Sequence, residues 1–176
     1  MAHRAHGLSF VELLVTCALL SLLSQLALPG VARLLAQAEA ERTVHRIQAA
    51  LAYARLLAVT EGEAVVLCPL RADGRCGGDW SEGFALLRDP QRSARLAPGE
   101  RPVRIFGGSD ARVHLRAFRT RRYFRFLPNG QTDWQNGRFL VCPTHRDLPV
   151  RGVVLNVQGR ARLMAAVDHH EVCEPT

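Results

Sequence analysis

Between Leu8 and Leu28 the chain reads LSFVELLVTCALLSLLSQLAL, 21 residues with a single charge, Glu12. As a helix rising about 1.5 Å per residue, such a segment extends roughly 30 Å, the thickness of a bilayer core. A short head, MAHRAHG, precedes it with Arg4 and two histidines. A cleaved secretory signal would carry an apolar stretch of only about 7–15 residues before a small-residue cleavage site. Ala36-Gln37-Ala38 and Ala38-Glu39-Ala40 offer such a site, but the apolar run is too long for that reading. A plain transmembrane anchor fits the length and leaves Glu12 unexplained. A carboxylate inside a membrane helix costs about 2.5–3.5 kcal/mol on insertion scales, so it calls for a partner and a role.

The remainder is not membrane-like. At 176 residues the chain has room for one ordinary domain. Its 48% hydrophobic content excludes a disordered polymer, and its 22% charged residues exclude a purely membrane-embedded one. The net charge is +7, and all 23 basic residues are arginine. Guanidinium groups stay protonated and match phosphate oxygens in bidentate fashion, so acidic polymers and anionic lipid are the candidate partners of that charge.

Pro29 removes a helical N–H and disfavours the helical conformation at Leu28, so a kink is expected there, softened by Gly30. Helical character resumes from about Val31 to Thr60. Val44, Ile47, Leu51 and Ala54 form an i, i+3, i+4 stripe, with Arg42, Arg46 and Arg55 largely off that line. Gly62 is the expected stop. Beyond it come short runs of branched and aromatic residues: Ala64–Leu70, Phe84–Leu87, Val103–Phe106, Val113–Phe118, Tyr123–Leu127, Phe139–Cys142, Val153–Val157 and Arg160–Ala165. Asp73-Gly74, Gly77-Gly78, Gly107-Gly108, Asn129-Gly130, Asn136-Gly137 and Gln158-Gly159 supply turns between them. The expected fold class is α+β: one long N-terminal helix, apolar in its first half and amphipathic in its second, packed on an antiparallel β-sheet head.

The segment Gly7-Leu8-Ser9-Phe10-Val11-Glu12-Leu13-Leu14 resembles the prepilin processing site of type IV pilins and type II secretion pseudopilins. In that family a prepilin peptidase cuts after the glycine and methylates the new N-terminus, the fifth mature residue is glutamate, and a proline stands 22 places in. Counted from Leu8, Glu12 and Pro29 occupy those places; the first residue, usually phenylalanine, is leucine here. The resemblance implies a leader at 1–7, a membrane and filament-core helix at 8–29, an amphipathic continuation at 30–61 and a periplasmic β-rich head at 62–176. It further implies residence in the bacterial inner membrane, then incorporation into a filament. The expected partners are other pilins or pseudopilins, the prepilin peptidase, the inner-membrane assembly platform and the lipid bilayer. The amine created by the cut can neutralise the buried Glu12 of a neighbouring subunit, which makes that carboxylate a register-setting group.

Four cysteines lie in the head: Cys68, Cys76, Cys142 and Cys173. An even number in an exported domain suggests two disulfides, with three pairings open. The spacings Cys142-x2-His145 and His170-x2-Cys173 also suit zinc. Val66-Leu67-Cys68-Pro69 followed by Asp73-Gly74, Cys76 and Asp79-Trp80-Ser81-Glu82-Gly83-Phe84 resembles the GspH/FimT group of minor pilins and pseudopilins. Phe126-Leu127-Pro128-Asn129-Gly130, Gly137–Cys142 and the hairpin turning at Gln158-Gly159 continue that likeness, which is strongest toward the FimT/FimU type. It implies the pairs Cys68–Cys76 and Cys142–Cys173, and no metal.

Arginine is dense from Arg88 to Arg125, with 11 arginines against three acids. Arg119, Arg121 and Arg122 sit beside Tyr123, Phe124 and Phe126, the interleaving used by single-strand binders; a solvated strand with its aromatics in the core has the same pattern. Gly159-Arg160-Ala161-Arg162 is sharper. On a strand Arg160 and Arg162 share a face about 6.6 Å apart, with Ala161 and Leu163 expected to point into the core. Such a pair can grip neighbouring phosphates without base specificity. FimT-like minor pilins with this Gly-Arg-x-Arg ending are implicated in DNA uptake, and the resemblance extends that role to Arg160 and Arg162. A soluble hairpin edge would carry the same residues. There is no Gly-x-Ser-x-Gly elbow, phosphate loop or helical histidine pair, so neither catalysis nor a cofactor is expected. The function expected is a minor pilin that helps to start or cap a type IV pilus-type filament, with DNA as a candidate ligand. The alternative is a type II secretion pseudopilin with no nucleic-acid role.

Overall fold

The computed structural model describes residues 9–117, 121–168 and 172–173, without the side chains of residues 26, 27 and 29. It contains two compact units, Met1–Leu35 and Ala36–Thr176. One helix, α1 (Phe10–Glu61), contributes to both and is assigned without a break through residue 29. Gly7 and Leu8 lie outside the described residues.

In the first unit α1 is predominantly apolar, with a best window of mean hydropathy 2.0 and none of that window buried. It is long and apolar enough to cross a membrane. The hydroxyls of Thr16, Ser21 and Ser24 donate to the carbonyls of Leu13, Ala18 and Leu20, so they bring no unsatisfied polar group to that surface. Glu12 lies on the same exposed surface.

In the second unit α1 buries Ala36, Ala40, Val44, Ile47, Leu51, Ala54 and Ala58. The spacings of three and four follow the helical period, and the alanines admit close approach of whatever packs on them. Gly62, at φ +70°, terminates the helix in the left-handed conformation that glycine tolerates.

Eight strands follow: β1 (Val65–Cys68), β2 (Gly83–Arg88), β3 (Arg104–Gly107), β4 (Val113–Ala117), β5 (Phe124–Phe126), β6 (Gly137–Pro143), β7 (Val150–Leu155) and β8 (Ala161–Val167). They form two antiparallel four-stranded sheets, ordered β3-β2-β1-β5 and β4-β6-β7-β8. Both close on the helix stripe around a core of Trp80, Phe84, Phe106, Phe124, Phe126 and Phe139. Phe118, expected at the end of β4, lies outside the described residues.

Each sheet also has a covered outer face. Behind the first, Val66, Cys68, Ala85 and Leu87 pack with Leu70, Cys76, Leu96 and Tyr123. That is why β1 is apolar at every position rather than alternating. Behind the second, Leu140, Cys142 and Val150 meet Met164, Val167, Val172 and Cys173. Disulfides Cys68–Cys76 and Cys142–Cys173 fasten the two outer layers. With Cys142 and Cys173 bonded to each other, neither offers a thiolate to zinc.

Candidate functional site

The turn between β7 and β8 is built from backbone and one side chain. The Asn156 side-chain oxygen accepts from the Arg160 N–H at 2.9 Å, and the Gly159 N–H donates to the Asn156 carbonyl at 3.0 Å. Gly159 is at φ +74°, and a Cβ there would collide with the carbonyl oxygen of Gly130. Gly130 tips the turn between β5 and β6, at φ +75°, and its carbonyl accepts from Arg55 Nε at 3.1 Å. Two glycine turns therefore close against one turn of α1, and Arg55 fastens that junction.

A groove of about 570 Å³ results, lined by Gln48, Ala52, Arg55, Leu56 and Val59 of α1 and by Gly159, Arg160, Ala161 and Arg162. Its floor is partly apolar, with Leu56 and Val59 more than half or about half exposed. Arg160 and Arg162 are exposed, and among the described residues neither forms an ion pair. Arg162 stands opposite Val154, itself exposed, on the outer face of the hairpin. Ala161 packs against the core, as expected from alternation.

Leu163 does not follow the expectation that it enters the core: it is 52% exposed, although its ladder partner Val153 is fully buried. The cause is its strand. β8 is the outermost of its sheet, and cover that suffices for β7 ends before it.

The second arginine group separates from the first. Arg119 lies outside the described residues. Arg121 is half-buried and its carbonyl accepts from Trp80 Nε1 at 2.9 Å, while Arg122 is exposed. Neither lines the groove. Phe124 and Phe126 are fully buried and offer no stacking surface, while half-buried Tyr123 packs behind the first sheet with the Arg125 guanidinium 5.0 Å from its ring centroid.

Arg125 completes the segment as a structural group. Its Nε and Nη1 reach Asp89 at 2.9 Å and Asp133 at 2.8 Å, and its Nη2 donates to the Arg92 carbonyl. Burial opposes its charge, but the hydrogen bonds it donates to Asp133 and Asp89 outweigh it and raise the guanidinium above its ordinary value. Asp89 also receives the N–H groups of Ser93 and Ala94. The ion cluster thereby fixes a loop in which Arg92 and Ala94 adopt positive φ.

Arg55 lies largely off the apolar stripe of its helix, and no motif in the sequence marks it. Its contact lies 75 residues away in sequence, beyond the reach of any local pattern.

A helix whose apolar half precedes an alanine-rich half packed on antiparallel sheets is the architecture of a pilin-like filament subunit. Solved structures share it. The type IV minor pilin FimU of Pseudomonas aeruginosa PAO1 superposes with TM-score 0.56 at 23% identity, over 77% of this chain and 94% of that one. The minor pseudopilin EpsH of the Vibrio cholerae type 2 secretion system gives 0.53 at 12% identity, over 72% and 97%. No curated protein sequence matches this one. The family model described as type II transport protein GspH matches residues 43–159. The chain belongs to the GspH family and is a minor pilin or pseudopilin of type IV pilus or type II secretion systems. That family and fold are structural, and other pilins of the same filament are its partners.

Proposed function

We propose that this chain is a minor pilin of a type IV pilus-type filament that helps to start or cap the fibre and offers Arg160 and Arg162 to DNA phosphates during uptake. In this reading the prepilin peptidase cuts after Gly7, and Leu8 becomes the methylated N-terminus. The chain waits in the inner membrane with its head in the periplasm until the assembly platform draws it into the filament. Glu12, exposed on an otherwise apolar helix surface, then meets the N-terminal amine of a neighbour and sets the register. Pro29, with Gly30 beside it, lets the helix bend where it leaves the membrane.

The observation that carries the DNA reading is the groove, lined by Arg55 on its helix side and by Arg160 and Arg162 on its hairpin side, without a carboxylate among the lining residues. Gly159 supports it by admitting the close approach that brings the hairpin to α1. Guanidinium groups brought together in this way contact a phosphate backbone and read no bases.

The test is a titration of the full chain in nonionic detergent micelles with duplex DNA at several salt concentrations, against Arg160→Ala/Arg162→Ala. Binding that weakens steeply with salt, and a slope of log K against log salt that falls by about 2 in the double variant, support the phosphate grip. Absence of binding at low salt refutes it. The second reading, a type II secretion pseudopilin without nucleic acid, would then stand. The description of the matching family and the likeness to EpsH favour that alternative.

A further inference from the structure

Among the described residues no large apolar side chain is more exposed than Trp134, at 88%. Its backbone is at φ +53°, a conformation that a bulky residue rarely adopts and that persists only where the surroundings enforce it. The surroundings do so. The Trp134 N–H donates to the Thr132 carbonyl at 2.8 Å, and the Asp133 N–H to the Arg125 carbonyl at 3.1 Å. Thr132 and Gln135, on either side, are buried. The Thr132 hydroxyl donates to the Gln135 carbonyl, and the Gln135 side-chain oxygen accepts from the Arg125 N–H at 2.6 Å. The loop is thus pinned at every residue around the indole while the indole itself projects into solvent.

What lies beside it is a cavity of about 460 Å³ lined by Leu127, Asn129, Gln131, Thr132, Val157 and Gln158 as well as Trp134. Its lining combines the apolar side chains of Leu127 and Val157 with the amides of Asn129, Gln131 and Gln158. The Thr132 N–H binds the Val157 carbonyl at 3.0 Å, so the tryptophan loop is bonded to the turn that carries the arginines. Val157 and Gln158 line this cavity, and Gly159 and Arg160 line the groove. Two residues of backbone, on the order of 6 Å, span from Gln158 to Arg160.

We propose that Trp134 is a stacking platform for an unpaired nucleobase, so that the site takes single-stranded DNA with its backbone along Arg160 and Arg162 and a base on the indole; this rests on the DNA reading above. Every base presents a π-face, and the neutral amides can meet a base edge. A duplex keeps its bases stacked on one another and reaches only the arginines. A neutral sugar would also stack on an indole, but it would leave the adjoining guanidiniums without a counter-charge; an oligonucleotide uses both halves of the turn.

The experiment titrates the full chain in nonionic detergent micelles with an oligothymidylate of roughly 12 nucleotides, a duplex of equal length, and chitohexaose as a neutral glycan. Trp80 is buried and Trp134 exposed, so quenching of the exposed indole reports stacking directly, and the remaining Trp80 signal shows that variants are folded. The expected result is quenching by oligothymidylate, with its affinity reduced about fivefold or more in Trp134→Ala and largely retained in Trp134→Phe. Duplex binding stays within about twofold in both variants, since phosphate contacts carry it. Equal binding of oligothymidylate by wild type and Trp134→Ala, without quenching, overturns the platform while the arginine grip stands. Quenching by chitohexaose and not by oligothymidylate overturns it in favour of a glycan. Failure of the wild type to bind either DNA removes the reading on which it rests.

Discussion

The close approach of Gly159 to Gly130 makes a quantitative demand. A Cβ at position 159 would fall on the Gly130 carbonyl oxygen, a backbone atom with no rotamer to escape into. Gly159→Ala therefore carries two costs. The left-handed backbone at φ +74° disfavours alanine by about 1 kcal/mol. Overpacking against a backbone that must shift adds about 2 kcal/mol, giving a total of about 3 kcal/mol. For a chain of this size each kcal/mol lowers Tm by about 3 °C, so the expected fall is about 9 °C. Gly99→Ala is the matched control: its φ is +81°, yet nothing lies within 4 Å of a Cβ there. It should lose only the conformational part, about 1 kcal/mol or about 3 °C. Thermal unfolding in detergent, followed through the near-ultraviolet circular dichroism of buried Trp80, measures both. If the two variants melt together, the hairpin is not held against Gly130 and the groove beside it is not a fixed feature.

Cys142→Ser/Cys173→Ser opens a loop with a sequence separation of 31 and should lower stability by about 3–4 kcal/mol, read as a lower urea midpoint. Arg125→Met leaves Asp89, 2% exposed, without its ion partner and should cost about 3–5 kcal/mol; adding Asp89→Asn should recover part of that loss in the same denaturation assay. Arg88 hydrogen-bonds Glu61 at 2.7 and 2.8 Å and holds its carboxyl below the ordinary value. The unfolded chain thus takes up that proton more readily, so the pair's contribution is present above about pH 4.3 and is lost as pH falls through the lowered folded value. Solvent screening limits it to at most about 0.5 kcal/mol, and Glu61→Gln should flatten the acid limb of the stability profile by no more than this.

The helix stripe was legible because burial of Val44, Ile47, Leu51 and Ala54 follows from their spacing alone. All eight strands were legible as branched or aromatic runs, with boundaries displaced where a run is interrupted. β7 begins at Val150, three residues before its expected start, because Arg151 and Gly152 break the apolar run without breaking the ladder. Division of the strands between two sheets was not legible, since β1 pairs with β5 across a long stretch of chain that carries no local mark of it. At the groove, Arg160 and Arg162 stood out as a motif, whereas Arg55 acquires its place only through Gly130. Leu163 illustrates the converse: alternation assigned it a face correctly, but whether that face is covered depends on strand order, a global property. Trp134 has no signature at all in sequence, because its exposure is imposed by the pinned residues around it.

The bond between Cys142 and Cys173 also decides how the head carries load. β8 is an edge strand hydrogen-bonded to β7 alone, so a pull on the chain beyond it would be borne by a single ladder. The disulfide short-circuits that path. Tension applied beyond Cys173 passes to β6, which is paired with β4 on one side and β7 on the other and is therefore held by two ladders rather than one. β8, which carries Arg162, is thereby bypassed by tension applied beyond Cys173.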